Sequence, residues 1–188
     1  MKKACILITG QMRSFESCFN NIFQNLISPN ENEYEFHIHI LTEYFGTFGG
    51  TTKNNYINKF VSIIEFENRI RKIYHKYLQT LMIENDSWKI NYPDYLNKYG
   101  PWICLYRNEY LFDKINDISQ YDIFIRMRPD IVLNGTLHLK EFKNIESIIY
   151  IISGFTKRVK SWLHNRDWDH MCISGYQGMK ICNKYHTF

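Results

Sequence analysis

Residues 121–135 read YDIFIRMRPDIVLNG. An apolar stretch from Tyr121 to Ile125 runs into three charges at alternate positions, Arg126, Arg128 and Asp130, and the apolar run resumes at Ile131-Val132-Leu133. A strand covered on both faces of a parallel sheet is nearly continuous in Ile, Val and Phe, so these charges stand out. If the strand continues through them they share one face, because alternate strand residues do. Charges at a strand's carboxyl end lie where open α/β sheets bind ligands. Two readings fit. In one, Asp130 bridges both arginines as an internal ion pair. In the other, two arginines against one aspartate leave a surplus positive charge that an anion such as a phosphate would satisfy.

Upstream, residues 4–9 (ACILIT) form a buried strand that ends in Gly10-Gln11-Met12-Arg13. Ser14 can cap a helix over about residues 15–27, with Phe15, Phe19, Ile22, Phe23, Leu26 and Ile27 on one side. Residues 34–41 (YEFHIHIL) alternate as a second strand, with Phe36, Ile38 and Ile40 on one face and His37 and His39 on the other. Strand, glycine turn, helix and strand open a βαβ unit with a parallel sheet. The glycine turn before a helix start favours an anion, and Arg13 adds charge there. A plain tight turn at Gly10 and a solvated Arg13 are the competing readings. The chain has neither G-x-G-x-x-G nor G-x-x-x-x-G-K-[ST].

Further along, residues 42–55 read as a glycine-bearing loop, 60–66 (FVSIIEF) as a third strand and 68–84 as a basic amphipathic helix. Arg69, Arg71, Lys72, His75 and Lys76 on that helix make a solvated face rather than a nucleic-acid surface. Residues 85–100 are a polar link and 102–118 a second amphipathic helix that feeds the central strand. After it come a buried strand at 147–152, a polar and basic loop at 154–169, a short strand at 171–175 and a helix at 176–185. His37 and His39 share a face and could ligate a metal, but no third ligand stands at recognisable spacing, so hydrogen-bonded histidines on a covered sheet are expected. No G-x-S-x-G elbow is present.

Hydrophobic residues make up 45% of the 188-residue chain, enough for a substantial core, so one folded domain over residues 1–188 is expected. The net charge of +4 suits an anionic small molecule and is too dispersed to argue for nucleic acid. Five cysteines without C-x-x-C spacing argue against a disulfide framework and a structural zinc site. No apolar run approaches a membrane span, and the short run after Lys2-Lys3 lacks a signal-peptide pattern, so a cytoplasmic setting is the expectation.

Three separated stretches line up: Thr9-Gly-Gln-Met-Arg13-Ser-Phe15, the YDIFIRMRPDIVL strand, and Asp169-His-Met-Cys-Ile-Ser-Gly-Tyr-Gln-Gly-Met179. Their order and spacing resemble a glycosyltransferase-like family of bacteria and large DNA viruses with the nucleotide-diphospho-sugar transferase (GT-A) fold. That family carries an R-x-R-P-D strand in the place of the metal-binding D-x-D. The resemblance implies a Rossmann-like three-layer α/β domain with a mostly parallel central sheet flanked by helices. It implies transfer of a sugar from a nucleotide-sugar donor to a hydroxyl acceptor in glycan synthesis. Thr9, Gly10, Gln11, Arg13, Arg126, Arg128 and Asp130 would then surround the donor, with Asp130 matching the last acid of D-x-D as a catalytic residue, and Asp169, on the acceptor side, would act as general base. Lys157, Arg158 and Arg166 would add phosphate contacts. The competing reading of Asp169 is a helix or turn cap.

Arg128 stands where the first acid of D-x-D is expected, which weakens a Mg²⁺ or Mn²⁺ site at Asp130. The arginines could instead neutralise the leaving diphosphate, so metal-dependent and metal-independent transfer are both open. The alternative function is a catalytically inactive protein of the same fold that holds a nucleotide or sugar phosphate. A nucleic-acid module, resting on the basic 69–76 segment and basic loop, is a third.

Overall fold

A computed structural model describes residues 1–12, 14–44, 47–48, 56–57, 62–85, 87–94, 100–146, 148, 150–151 and 171–183. Its centre is a six-stranded sheet in the order β5-β2-β1-β6-β8-β7. The strands are β1 (Lys2–Thr9), β2 (Tyr34–Glu43), β5 (Leu78–Glu84), β6 (Ile123–Met127), β7 (Tyr150–Ile151) and β8 (Met171–Ser174). A separate two-residue pair, β3 (Thr47–Phe48) and β4 (Tyr56–Ile57), lies outside this sheet. β5, β2, β1 and β6 pair in parallel, and β8 runs antiparallel to both its neighbours.

Residue alternation along β1 divides the core in two. Ala4, Ile6 and Ile8 pack with Phe15, Phe19 and Ile22 of α1 (Phe15–Ile22) and with Phe66, Ile70 and Tyr74 of α2 (Ile63–Tyr74). Cys5 and Leu7 face the other way, against Leu111 and Phe112 of α3 (Gly100–Asp113) and Met179 of α4 (Tyr176–Asn183). Helices therefore cover both faces of the sheet, as the near-continuous apolar strands require. From β1 the chain winds outward through β2 to β5 and then returns to place β6 on the other side of β1. The strand order reverses between β1 and β6, and crevices outside the carboxyl ends of strands at such a reversal are ligand sites in open α/β sheets.

Several sequence expectations need correction. Residues 60–66 do not form a strand: α2 begins at Ile63, with Ser62 Oγ accepting the Glu65 N–H at 3.1 Å. The Ser-x-x-Glu start and the helical spacing of Phe66, Ile70 and Tyr74 outweigh the β-branched run. The expected long helix over 68–84 ends at Tyr74, where His75 takes a positive φ of 34°, and residues 78–84 form the edge strand β5 instead. Ser14 stands at the start of α1 without a side-chain cap; its carbonyl receives Ser17 N–H and Cys18 N–H. The helix continues past Ile22 through a wider π turn at Phe23–Ile27. Of the strand expected at 147–152, Tyr150–Ile151 is observed, while 147, 149 and 152 lie outside the described residues. Arg69, Arg71 and Lys76, on the segment read as a basic face, pair with Glu16, Glu67 and Glu31. No described helix is long and apolar enough to cross a membrane.

His37 and His39 project onto the α3 face and share the Tyr121 hydroxyl, at 2.9 Å from His37 Nδ1 and 3.1 Å from His39 Nε2. Glu35 engages the other nitrogen of His37, and Thr80 that of His39. Burial, and then the neighbouring His37, hold the His39 imidazole down to about 4 from its ordinary 6.5. The unfolded chain therefore takes up a proton at His39 that the folded protein refuses. The associated stability is full above about pH 6.5 and is lost as pH falls toward 4. Urea unfolding should lose roughly 1–2 kcal/mol between pH 7 and pH 5 from this residue, and His39→Gln should flatten that slope.

Candidate ligand site at the carboxyl ends of the central strands

The turn after β1 and the turn after β6 meet. Gly10 adopts φ +123°, a region that side-chain-bearing residues rarely occupy, and a Cβ there would sit 3.5 Å from Cδ of Pro129. The Gly10 N–H donates to the Leu41 carbonyl at 3.3 Å, and its own carbonyl accepts from Thr42 Oγ1 at 2.8 Å. Sequence motifs more than a hundred residues apart thus meet at the carboxyl ends of β1 and β6, the place where open α/β sheets form a ligand crevice, with β2 supporting the first turn. Gly10→Ala should cost about 1–3 kcal/mol through backbone strain, readable as a lowered unfolding midpoint.

Thr9 Oγ1 donates to Asn108 Oδ1 of α3 at 2.9 Å, and Gln11 Nε2 donates to Glu43 Oε1 at 2.6 Å. Both side chains are therefore oriented by partners rather than left to solvent. β6 stops at Met127, short of the second arginine, because Pro129 follows and cannot donate to a ladder. Arg128 and Asp130 consequently lie in the turn, not on the strand face that Arg126 occupies, and Ile131–Leu133 does not resume a strand.

Asp130 meets Arg128 in a two-pronged pair, Nε to Oδ1 and Nη2 to Oδ2, each at 2.8 Å. Arg126 does not share that carboxylate, so the ion pair bridging both arginines is not formed. The Arg126 side chain is 1% exposed, and Nε, Nη1 and Nη2 all lack a hydrogen-bond partner. It lies on β6 beside Leu7 of β1 and Cys172 of β8. A guanidinium stays charged in proteins, and removing it from water without a partner is expensive. Two buried hydroxyls, of Tyr74 and Ser174, are also unpartnered, but a neutral group costs far less to bury than a charge.

Sequence reading missed the polar cluster that flanks this crevice. Glu43 and Glu84 end β2 and β5 and lie opposite one another in the ladder. Arg107 of α3 bridges them: Nη2 pairs with Glu43 Oε2 and with Glu84 Oε2, the latter at 2.7 Å. Burial alone would depress the Arg107 guanidinium, but the Glu43 charge, Tyr92 and Glu84 together drive it above its ordinary range. Glu84 also accepts from Ile90 N–H at 2.9 Å and Tyr92 Oη at 2.7 Å. Burial pushes the Tyr92 phenol well up, so it stays protonated and donates. A signal was present in the sequence: two apolar runs each ending in glutamate, and an arginine-asparagine pair inside an amphipathic segment.

Arg13, Lys157, Arg158, Arg166 and Asp169, the remaining expected site residues, lie outside the described residues. Among the described residues no cluster of three His, Cys, Asp or Glu side chains could hold a divalent cation. Asp130 gives both oxygens to Arg128. Cations such as Mg²⁺ seek carboxylate-rich oxygen shells, so these residues do not fit one. They fit an anion. No protein-family model matches the chain, and no curated protein matches it significantly.

Proposed function

We propose that this crevice binds the diphosphate of a nucleotide-sugar and that the protein transfers the sugar to a hydroxyl acceptor, as a domain of the GT-A type. One observation carries the binding part: Arg126 is a fully buried guanidinium with three unpartnered nitrogens at the carboxyl end of a central strand. Phosphate oxygens match that fork and its charge. The extension to sugar transfer rests on the resemblance of the three sequence motifs.

In the proposed reaction the acceptor oxygen attacks the anomeric carbon of the sugar. The bond from that carbon to the phosphate oxygen breaks, and the diphosphate leaves with the electron pair. Asp169 takes the acceptor proton. Arg126, with Arg13 and Arg128, meets the charge that develops on the leaving group; Lys157, Arg158 and Arg166 add phosphate contacts. Asp130 acts by orienting Arg128. No step runs through a metal ion.

The Asp130–Arg128 pairing favours a second reading, a protein that holds a nucleotide or sugar phosphate without turnover. Incubating the pure protein with a panel of nucleotide-sugars and simple glycan acceptors separates the two. Release of nucleoside diphosphate that depends on an acceptor supports the transferase. Tight binding with no release supports the second reading, and neither binding nor release refutes both.

A further inference from the structure

The Glu43–Arg107–Glu84 cluster does more than seal the sheet to α3. That helix already docks through Leu111 and Phe112, with Ile115 just beyond its end, and buried ion clusters can often be exchanged for apolar residues without loss of stability. The direction of the hydrogen bonds is informative. Glu84 is occupied inside the cluster, by Ile90 N–H, Tyr92 and Arg107. Glu43 instead gives one oxygen to Arg107 and the other to Gln11, the residue that follows the Gly10 turn. Asn108, next to Arg107 on the same helix, receives Thr9, the residue before that turn. Two successive residues of α3 therefore grip the Thr9–Gln11 turn from both sides, Asn108 directly and Arg107 by way of Glu43.

We infer that Arg107 is a positioning residue that acts through Glu43 to set the Gln11 side chain, and with it the affinity of the crevice for a diphosphate. The inference rests on the nucleotide reading above. Its link from Arg107 to Gln11 does not, and can be measured without a ligand. A lysine at position 107 keeps the charge but loses the planar fork that joins two carboxylates, so Arg107→Lys is the variant of choice, compared at a temperature where circular dichroism shows it folded.

The first readout is the side-chain amide signal of Gln11 in ¹⁵N-labelled protein, assigned by its loss in Gln11→Ala. It should shift in Arg107→Lys and in Glu43→Gln, because both change the oxygen that accepts from Gln11 Nε2. A Gln11 signal unchanged in both variants overturns the positioning role, whatever the protein binds. The second readout is calorimetric affinity for uridine and guanosine diphosphates. Each of Arg107→Lys, Glu43→Gln and Gln11→Ala should weaken binding about tenfold, the equivalent of one hydrogen bond. Combining Glu43→Gln with Gln11→Ala should weaken it no further, because the two act as one unit. Full additivity, or affinity unchanged in Arg107→Lys, overturns the inference and leaves the nucleotide reading standing. A wild-type protein that binds neither diphosphate overturns the nucleotide reading and the effect on affinity together, and the Gln11 signal then decides the Arg107 link by itself.

Discussion

Arg126→Met will make the free protein more stable and at the same time blind to nucleoside diphosphates. Methionine fills much of the arginine's volume and removes a charge that is 1% exposed and has no hydrogen-bond partner. Exchanging buried ionic groups for apolar ones of similar size is neutral to stabilising by about 1–4 kcal/mol. At roughly 2–4 °C per kcal/mol for a chain of this size, the midpoint rises by several degrees. The same change removes the fork on which the phosphate would sit. Calorimetry on the free variant and titration with diphosphate measure the two effects separately. A destabilised variant would mean that Arg126 already has its stabilising environment in the free protein. A stabilised variant that still binds would place the anion elsewhere.

Arg107→Met should do the opposite. Glu43 and Glu84 lie side by side in the parallel ladder, and Arg107 is the cation between them. Without it two buried carboxylates face each other, and removing one partner of a buried pair costs about 3–5 kcal/mol. The midpoint should fall by about 10 °C or more. Adding Glu84→Gln to the variant should recover part of the loss, since only one of the like charges then remains and the two positions are coupled. A loss confined to about 1 kcal/mol, the scale of an exposed pair, would contradict the burial on which this rests. The two arginines share one face of the sheet yet respond in opposite directions: Arg107 is satisfied within the fold, and Arg126 is not.

The strands nearest the centre were legible because burial on both faces leaves a strong mark. ACILIT, YEFHIHIL and the opening of YDIFIRM are nearly all apolar on at least one alternating face. The edge strand LQTLMIE was read as helix because it is only half buried, and Tyr77 and Leu81 fall at helical spacing with the residues before them. Nothing local announces that His75 turns the chain with a positive φ. FVSIIEF was misread in the other direction, as strand propensity in Ile63 and Ile64 hid a capping serine.

The site was legible in half. Gly10 and the R-x-R-P-D run announced themselves as a turn and as charges out of pattern, and the fold brings them together at Pro129. How the charges divide was not readable: Asp130 chooses Arg128 because Pro129 ends the strand and puts both in one turn. Glu43, Glu84 and Arg107 each carried a local mark, but nothing along the chain joins them. Their proximity depends on strand order and on which face α3 covers, neither of which a spacing along the chain encodes.

The most direct test of the central claim is thermal unfolding of the wild-type protein against nucleoside diphosphates and nucleotide-sugars, each with EDTA present. A ligand that binds only the folded state at a hundred times its dissociation constant adds about 2.7 kcal/mol. A rise of several degrees is expected with at least one of these ligands, undiminished by EDTA. No rise with any of them would contradict an anion site at Arg126, and a rise that EDTA abolishes would contradict its metal-free form.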